Sequence, residues 1–540
     1  MGLMGSLYVG TSGLQTSQNA LNTTAHNLSN INTNGYSRQQ VLQGDKRYRT
    51  VGNAYISKQE VGLGVTYSKV RQVRDYFLDK TYRREAGRTA FYENSYTAVN
   101  ETETLFGEME GVQFQTSLTD MWESVQELAK NPTNATNQGL LVSKAATFLE
   151  RAQAVYSGLS AYQDNINEQV KDTVDTINEY GDKIYELNRK IVQAEAGGTE
   201  EANDLRDTRN QLLDELSGLV KITYSEDTVG SVDVSIEGTN FVTDGYVNKM
   251  GTTVDAQTGF YTPVWTSDQN SSVFDLTRPI SSDLDTDIGG LKALVLARGD
   301  RRGTYKDIPK APVSQTDLDD YNTNVSSSLI VNVMAEFDQL VNGIATGMNE
   351  ILNPRVSDGA GGTTTLGFDL FVRYGIDDVT TPENPLQSTT WMSTKNLKIN
   401  TTLLQQSTYL GCTKKSDGTY TNGFVTADNQ ENKVMADELT ALFKNDFSSL
   451  NPNVNTAANF VGYYTNLVGQ IANSGSVCKG LYDSQASTVE SIESSRQQIV
   501  GVSDNEELTN MIKFQNAYNA SSRYINAVNE MIGHIIEKLG

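Results

Sequence analysis

The last thirty residues place apolar side chains at every seventh position, and a helix patterned this way needs a second helix to cover its stripe. Met511, Tyr518, Ile525, Ile532 and Leu539 form one column; Phe514, Ser521, Val528 and Ile535 form the other. Apolar residues at both seam positions over four heptads are the pattern of a coiled-coil strand. Ser503, Asp504, Asn505 and Glu506 stand before it with the spacing of a capping box. The front of the chain carries a thinner version of the same pattern. Leu7, Leu14, Leu21 and Leu28 recur every seven residues, with the small Gly10, Ser17 and Thr24 between them. Gly10 and Gly13 each weaken that helix by about 1 kcal/mol relative to Ala, so alone it is marginal. No adjacent core follows either seam, and the two ends are expected to pair.

The rest of the chain supports a shaft made from both ends. Of nine prolines, seven lie between Pro263 and Pro385, none precedes Pro132 and none follows Pro452. Proline breaks helix interiors, so the flanks can be long helices and the middle cannot. Residues 159–191 repeat on two apolar columns and predict a rod of about 50 Å. A second helix with Leu205, Leu212, Leu216 and Leu219 on one face follows, making an αα-hairpin. Further helices are expected near 85–130, 138–158, 325–352, 434–446 and 456–500. Strand alternation starts near Val220, with Val232, Val234 and Ile236 pointing one way and Thr243-Asp244-Gly245 marking a turn. The fold class expected is a mixed α and β multidomain chain: a long helical coiled-coil shaft from both ends, with central β-rich domains inserted.

Charge and composition exclude several functions. The chain has 540 residues and a formal charge of −23, which argues against nucleic-acid binding. That charge is uneven: residues 1–37 hold no charged side chain, and Arg38 is the first. Two cysteines, Cys412 and Cys478, cannot make a disulfide framework or a Cys-rich metal site. His26 and His534 are too few for most zinc or histidine-base chemistry, and both read as surface or seam residues. Asp283, Asp285 and Asp287 resemble the start of a calcium loop, but Ile288 and Leu294 stand where Gly and Glu are needed, so they read as solvated acids. Arg298-Gly299-Asp300 is an adhesion-like tripeptide that reads as the end of a helix or strand. No apolar run reaches 18 residues, and the first ten residues lack the basic and apolar regions of a cleavable signal. No catalytic residue, cofactor or metal is assigned, and the chain is expected not to be an enzyme.

Both ends carry a family resemblance. Ser12-Gly13-Leu14, then Asn27-Leu28-Ser29-Asn30, then Thr33-Asn34-Gly35-Tyr36-Ser37-Arg38 resembles the N-terminal signature of bacterial flagellar rod, hook and hook-associated proteins. The run from Glu506 through Ala520 resembles the same family's C-terminal signature. In the interior, Asn203 to Leu216, Phe460 to Tyr464 and Ile288 to Leu291 are similar to the hook-associated members.

The resemblance implies a structural axial component joining hook to filament, extracellular on the flagellum and exported by the flagellar type III apparatus without a cleavable signal. It implies termini that are disordered in the monomer and pair on assembly. It implies a homo-oligomeric ring of about eleven subunits, contacts with hook protein and hook-associated protein 3, and a chaperone on the C-terminal region before export. The alternatives are another axial protein of the family, such as hook protein or hook-associated protein 3, or a secreted adhesin or enzyme on an axial shaft. On this reading 1–45 and 503–540 are the two halves of a terminal domain, D0. Residues 46–219 and 431–502 build a helical D1. Residues 220–320 form a β-rich D2, 321–354 a helical return, and 355–430 an outer insertion, β or irregular. The assembly surface is expected from Leu7, Leu14, Leu21, Leu28, Met511, Phe514, Tyr518, Ile525, Val528, Ile532, Ile535 and Leu539. Asn27, Asn30, Thr33 and Gly35 are expected to shape the turn that closes the first helix, with Gly35 at positive φ.

Overall fold

In the computed structural model the described residues are all except 1–2, 47, 55–56, 108–112, 198–200, 311, 358–362, 366, 375–391, 415–418, 427, 455 and 540. Helix α1 spans Leu3–Ser29. Four strands follow: β1 Gln39–Asp45, β2 Tyr48–Ala54, β3 Ser57–Gly62 and β4 Val65–Gln72. β1 pairs antiparallel with β4, and β2 with β3. The sequence reading places no strand there, because the segment is mostly polar and its alternation is weak.

Helices α2 (Tyr76–Phe106), α3 (Phe114–Lys130), α4 (Ala135–Glu195) and α5 (Asn203–Leu219) build the body. The helix expected over 85–130 is therefore two. The pair expected at 138–158 and 159–191 is one helix of 61 residues, about 90 Å long. Gly158 at the expected break is accommodated because Leu105 packs over it; a Cβ there would sit 3.0 Å from Leu105 Cδ2. The αα-hairpin of α4 and α5 forms as expected.

Two three-stranded sheets lie on α4. One orders β5 (Ile222–Glu226), β6 (Val232–Ile236) and β7 (Thr239–Val242). The other orders β10 (Ser271–Ser272), β9 (Tyr261–Trp265) and β8 (Met250–Val254). Val232, Val234 and Ile236 face inward, as their alternation predicts. Three asparagines of α4 clip these sheets down. Asn188 donates to Val232 O at 2.8 Å and accepts from Val232 N at 3.2 Å. Asn178 does the same at Met250, at 2.8 and 2.9 Å. Asn167 accepts from Tyr261 N at 2.7 Å. A buried amide that uses both its donor and its acceptor satisfies strand backbone that would otherwise be orphaned.

The centre is helical too. Helices α6 (Gly290–Arg298), α7 (Gln315–Asn324) and α8 (Leu329–Leu352) fill 290–352, and α8 is buried along nearly its whole length. The chain is mostly helical with small sheets, a mixed multidomain fold. In 355–430 the described parts include short paired strands, such as Phe371–Arg373 with Leu397–Ile399, and the short helix α9 (Thr401–Gln405). Helices α10 (Val434–Lys444), α11 (Phe460–Val500) and α12 (Asp504–Leu539) return to the start. One continuous core joins α2–α6, the two sheets, α8, α10 and α11. A small separate one gathers Ile308, Tyr321, Val325, Val331 and Ala335. Neither includes a residue of α1 or α12.

Two interior readings change. Asp287 is fully buried rather than solvated: Arg88 Nε pairs with it at 3.0 Å and Tyr92 donates to it at 2.9 Å. Asp285 pairs with the same guanidinium at 2.8 Å, while Asp283 is exposed. Arg298 ends α6 as expected, but it is buried. Its guanidinium donates to Asn167 Oδ1 and Tyr261 O and lies 4.8 Å from the Phe260 ring, so the tripeptide is no exposed adhesion loop. Burial lowers its pKa to about 10, against the opposing pull of the Asp300 carboxylate.

Candidate assembly interface

Helices α1 and α12 lie side by side. The residues of α1 buried here are small or polar: Gly10, Ser12, Thr16, Ser17, Ala20, Thr24 and Asn27. Backbone-close packing explains the glycine. A Cβ at Gly10 would lie 2.7 Å from Ile525 Cγ1, and one at Gly13 2.9 Å from Ser521 Oγ. Leu7, Leu14, Leu21 and Leu28 are only half-buried along the flank. On α12, Val528 is buried, and Met511, Phe514, Tyr518, Ile525 and Ile532 are half-buried. Ile535 is exposed at 44%, outside the covered seam, and the side chain of Leu539 lies outside the described residues. Met4, Tyr8, Ile512, Met531 and Ile536 are also exposed. Substituting Gly10→Val will force the helices apart by overpacking, at about 1–3 kcal/mol. The check is hydrogen exchange across α1 and α12 in the polymerised protein, which will rise while α4 stays unchanged.

The N-terminal motif builds the joint between this pair and the body. Asn30 and Thr33 close α1: Asn30 Nδ2 donates to His26 O at 3.0 Å, and Thr33 Oγ1 to Asn30 Oδ1 at 3.1 Å. Gly35 takes φ +77°, the left-handed region expected for it. The chain then reverses, and buried Asn27 holds it. Its Nδ2 donates to Gln39 O, while its Oδ1 accepts from Gln39 N and from the Tyr36 hydroxyl at 2.7 Å. Ser12, elsewhere on α1, is 3.3 Å from Val65 N and ties α1 to β4. Buried Glu507 of α12 rests against Asn27 and Thr24, and burial pushes its carboxyl up.

Ser37 is the anchor, and sequence reasoning missed its partner. It is fully buried, and its hydroxyl and backbone N–H both donate to Asp207 of α5, at 2.5 and 3.1 Å. Burial raises Asp207 to about 6, against the opposing pull of Ser37 and Arg74. Arg74 Nη1 donates to Ser37 Oγ, and its fork grips Asp79 at 3.0 Å on both oxygens. Arg38 donates its N–H to Val500 O at 2.9 Å and pairs with Glu506 at 2.8 Å, so Glu506 serves this link. Arg496 of α11 completes the joint. It pairs with Asp79 at 2.8 Å and Asp214 at 2.5 Å, and Arg83 pairs with Asp214 at 2.6 Å. These partners lie up to 468 residues apart, so no local signal marks them.

The joint has no catalytic arrangement among the described residues. Ser37 and Asp207 have no histidine between them, and the exposed His26 is spent on the Tyr36 hydroxyl at 3.0 Å. An open cleft of about 270 Å³ beside them is lined by polar groups, including Asn34, Asp204 and Gln211. Among the described residues no three metal-ligating side chains gather, and no helix is long and apolar enough to cross a membrane.

Residues 99–371, half the chain, match the family described as flagellar hook-associated protein FlgK helical domain. The chain belongs to the FlgK family. Residues 7–36, the span of α1 and its closing turn, match flagella basal body rod protein. Residues 493–537, most of α12, match the C-terminal region of flagellar basal body rod FlgEFG proteins. Flagellar hook-associated protein 1 of Bacillus subtilis (strain 168) is 25% identical over 544 residues, covering 98% of this chain and 96% of that one. The Escherichia coli (strain K12) protein of the same name is 27% identical over 230 residues, 42% of this chain and 40% of that one. The flagellar hook junction protein FlgK from Burkholderia pseudomallei superposes with a TM-score of 0.52 at 14% identity, over 78% of this chain and all of that one, which shows a shared fold. As a FlgK-family member this chain is a structural axial component of the bacterial flagellum, of the kind that joins hook to filament. In this FlgK-family chain helices α3–α8 and the sheets clipped onto α4 fall inside the matched segment, while the joint ties that segment to both terminal matches.

Proposed function

We propose that the chain sits at the hook–filament junction and that its termini finish folding only when copies assemble as a coiled-coil tube. One observation carries this: the α1–α12 pair lies outside both apolar cores and leaves large apolar side chains exposed on each helix. Ordering a residue costs roughly 1–2 kcal/mol of backbone entropy, and burying a large aliphatic side chain returns about 1.5–3 kcal/mol. A pair in which α1 buries only small or polar side chains falls short of covering some sixty ordered residues, so neighbouring copies must supply the rest. The Leu7–Leu28 flank and the exposed Met531, Ile535 and Ile536 are the surfaces for those neighbours, with Leu539 continuing the stripe. The motif residues Ser12 to Arg38 set the angle at which the pair leaves the body.

The same reading makes the chain a non-enzymatic ring subunit of about eleven copies, exported by the flagellar type III apparatus and escorted by a chaperone. Hook protein lies below it and hook-associated protein 3 above. Family membership and the two terminal matches support these partners. Deleting the gene in the native bacterium will leave hooks without filaments, and immunogold against the chain will mark a narrow band at the hook tip. Label spread along the filament, or normal filaments in the deletion, would contradict the proposal.

A further inference from the structure

We propose that Glu336 is a proton-dependent clasp, holding α7 and the 446–454 loop on the body in acid and letting them loosen in alkali. Glu336 sits on buried α8 with no exposed surface. Its carboxylate accepts from Asn332 Nδ2 at 3.2 Å on its own helix, Asn451 Nδ2 at 2.9 Å from the loop, and Gln470 Nε2 at 3.0 Å from α11. The titratable groups facing it are the phenols of Tyr321 from α7 and Tyr463 from α11. No Lys, Arg or His among the described residues pairs with it. Asp338, two positions on, is taken up by Tyr305 N and by Thr394 and Ser393. A charge buried among neutral donors alone is poorly solvated, and burial accordingly pushes the Glu336 carboxyl up to about 7.

What the clasp holds follows from its bonds. Tyr321 donates to Asn332 Oδ1 at 2.5 Å and anchors the small core of Ile308, Val325, Val331 and Ala335. Tyr463 binds the loop carbonyl of Leu450 at 3.2 Å. The sign is fixed by linkage. A carboxyl raised in the folded state lends its stability below its unfolded value, near 4.5, and loses it as pH rises through about 7. Neutral Gln removes that dependence; the Gln470 amide can turn so that its oxygen accepts from the new N–H.

The experiment is amide hydrogen exchange on the full chain at pH 5 and pH 8.5, corrected for intrinsic rates, for wild type and Glu336→Gln. In wild type, opening of 315–324 and 446–454 will rise between the two pH values by about 10²-fold more than in Glu336→Gln. Equal pH dependence in both proteins would overturn the proposal. If the variant does not fold, the carboxyl carbons of Glu-labelled wild type are titrated by NMR. Titration of the Glu336 carboxyl near neutrality supports the clasp, and its titration below pH 5.5 overturns it.

Discussion

Replacing Ile525 and Ile532 by Asp will leave the body folded and abolish incorporation into the flagellum. Ile525 sits where α12 comes closest to Gly10, and Ile532 continues the same half-buried column. An aspartate at either place would be buried without a cation in the assembled tube. The nearest part of α1 carries no charge at all over residues 1–37. Desolvating an unpaired carboxylate costs several kcal/mol, more than the isoleucine contributed by being covered. Because neither core includes α1 or α12, circular dichroism of the helical body and the exchange protection of α4 will stay as in wild type. Normal filament formation by the double variant would defeat the seam as the assembly surface.

Arg496→Met will cut the protection of the last turns of α11 by about 10²-fold, near 3 kcal/mol. The guanidinium is buried between Asp79 and Asp214 and lies 4.6 Å from the Tyr82 ring. Burial disfavours its charge, yet Asp214 and Asp79 hold it above the ordinary guanidinium range. Burial also pushes Asp79 upward, but the Arg74 fork and Arg496 keep its carboxyl below the usual carboxylate value. That stability is therefore present above about pH 4, the unfolded carboxylate range, and is lost as acid protonates Asp79. Methionine fills the volume but removes the cation that Asp79 and Asp214 share, leaving Asp79 its Arg74 fork and Asp214 its pair with Arg83. Hydrogen exchange over 485–500 measures the loss directly, and protection equal to wild type would show the bridges to be surplus.

The sequence discloses patterns and hides partnerships. The seams of both ends are readable because a heptad of apolar residues has few other uses. The turn at Gly35 is readable because its residue types are those a left-handed closure needs. Ser37 with Asp207, and Arg38 with Glu506, join segments far apart in the chain, and neither residue type announces a partner. The asparagines at 167, 178 and 188 carry no sequence signal of their own, yet folding uses their amides to hold strand backbone. Asp287 reads as one acid in a loop because Arg88, which claims it, stands 199 residues earlier. The seven-residue spacing picked out the leucines of α1, but the contact with α12 runs through the smaller residues between them. A close helix pair favours Gly, Ser and Ala, whose weak apolar signal the larger leucines mask.

Amide hydrogen exchange on a verified monomer tests whether the ends fold on assembly. Exchange will be fast across 3–29 and 504–539 with strong protection in 159–219, and slow at the ends once the protein is polymerised. Strong protection at both ends in the monomer would show α1 and α12 already locked together, and assembly-coupled folding would be wrong.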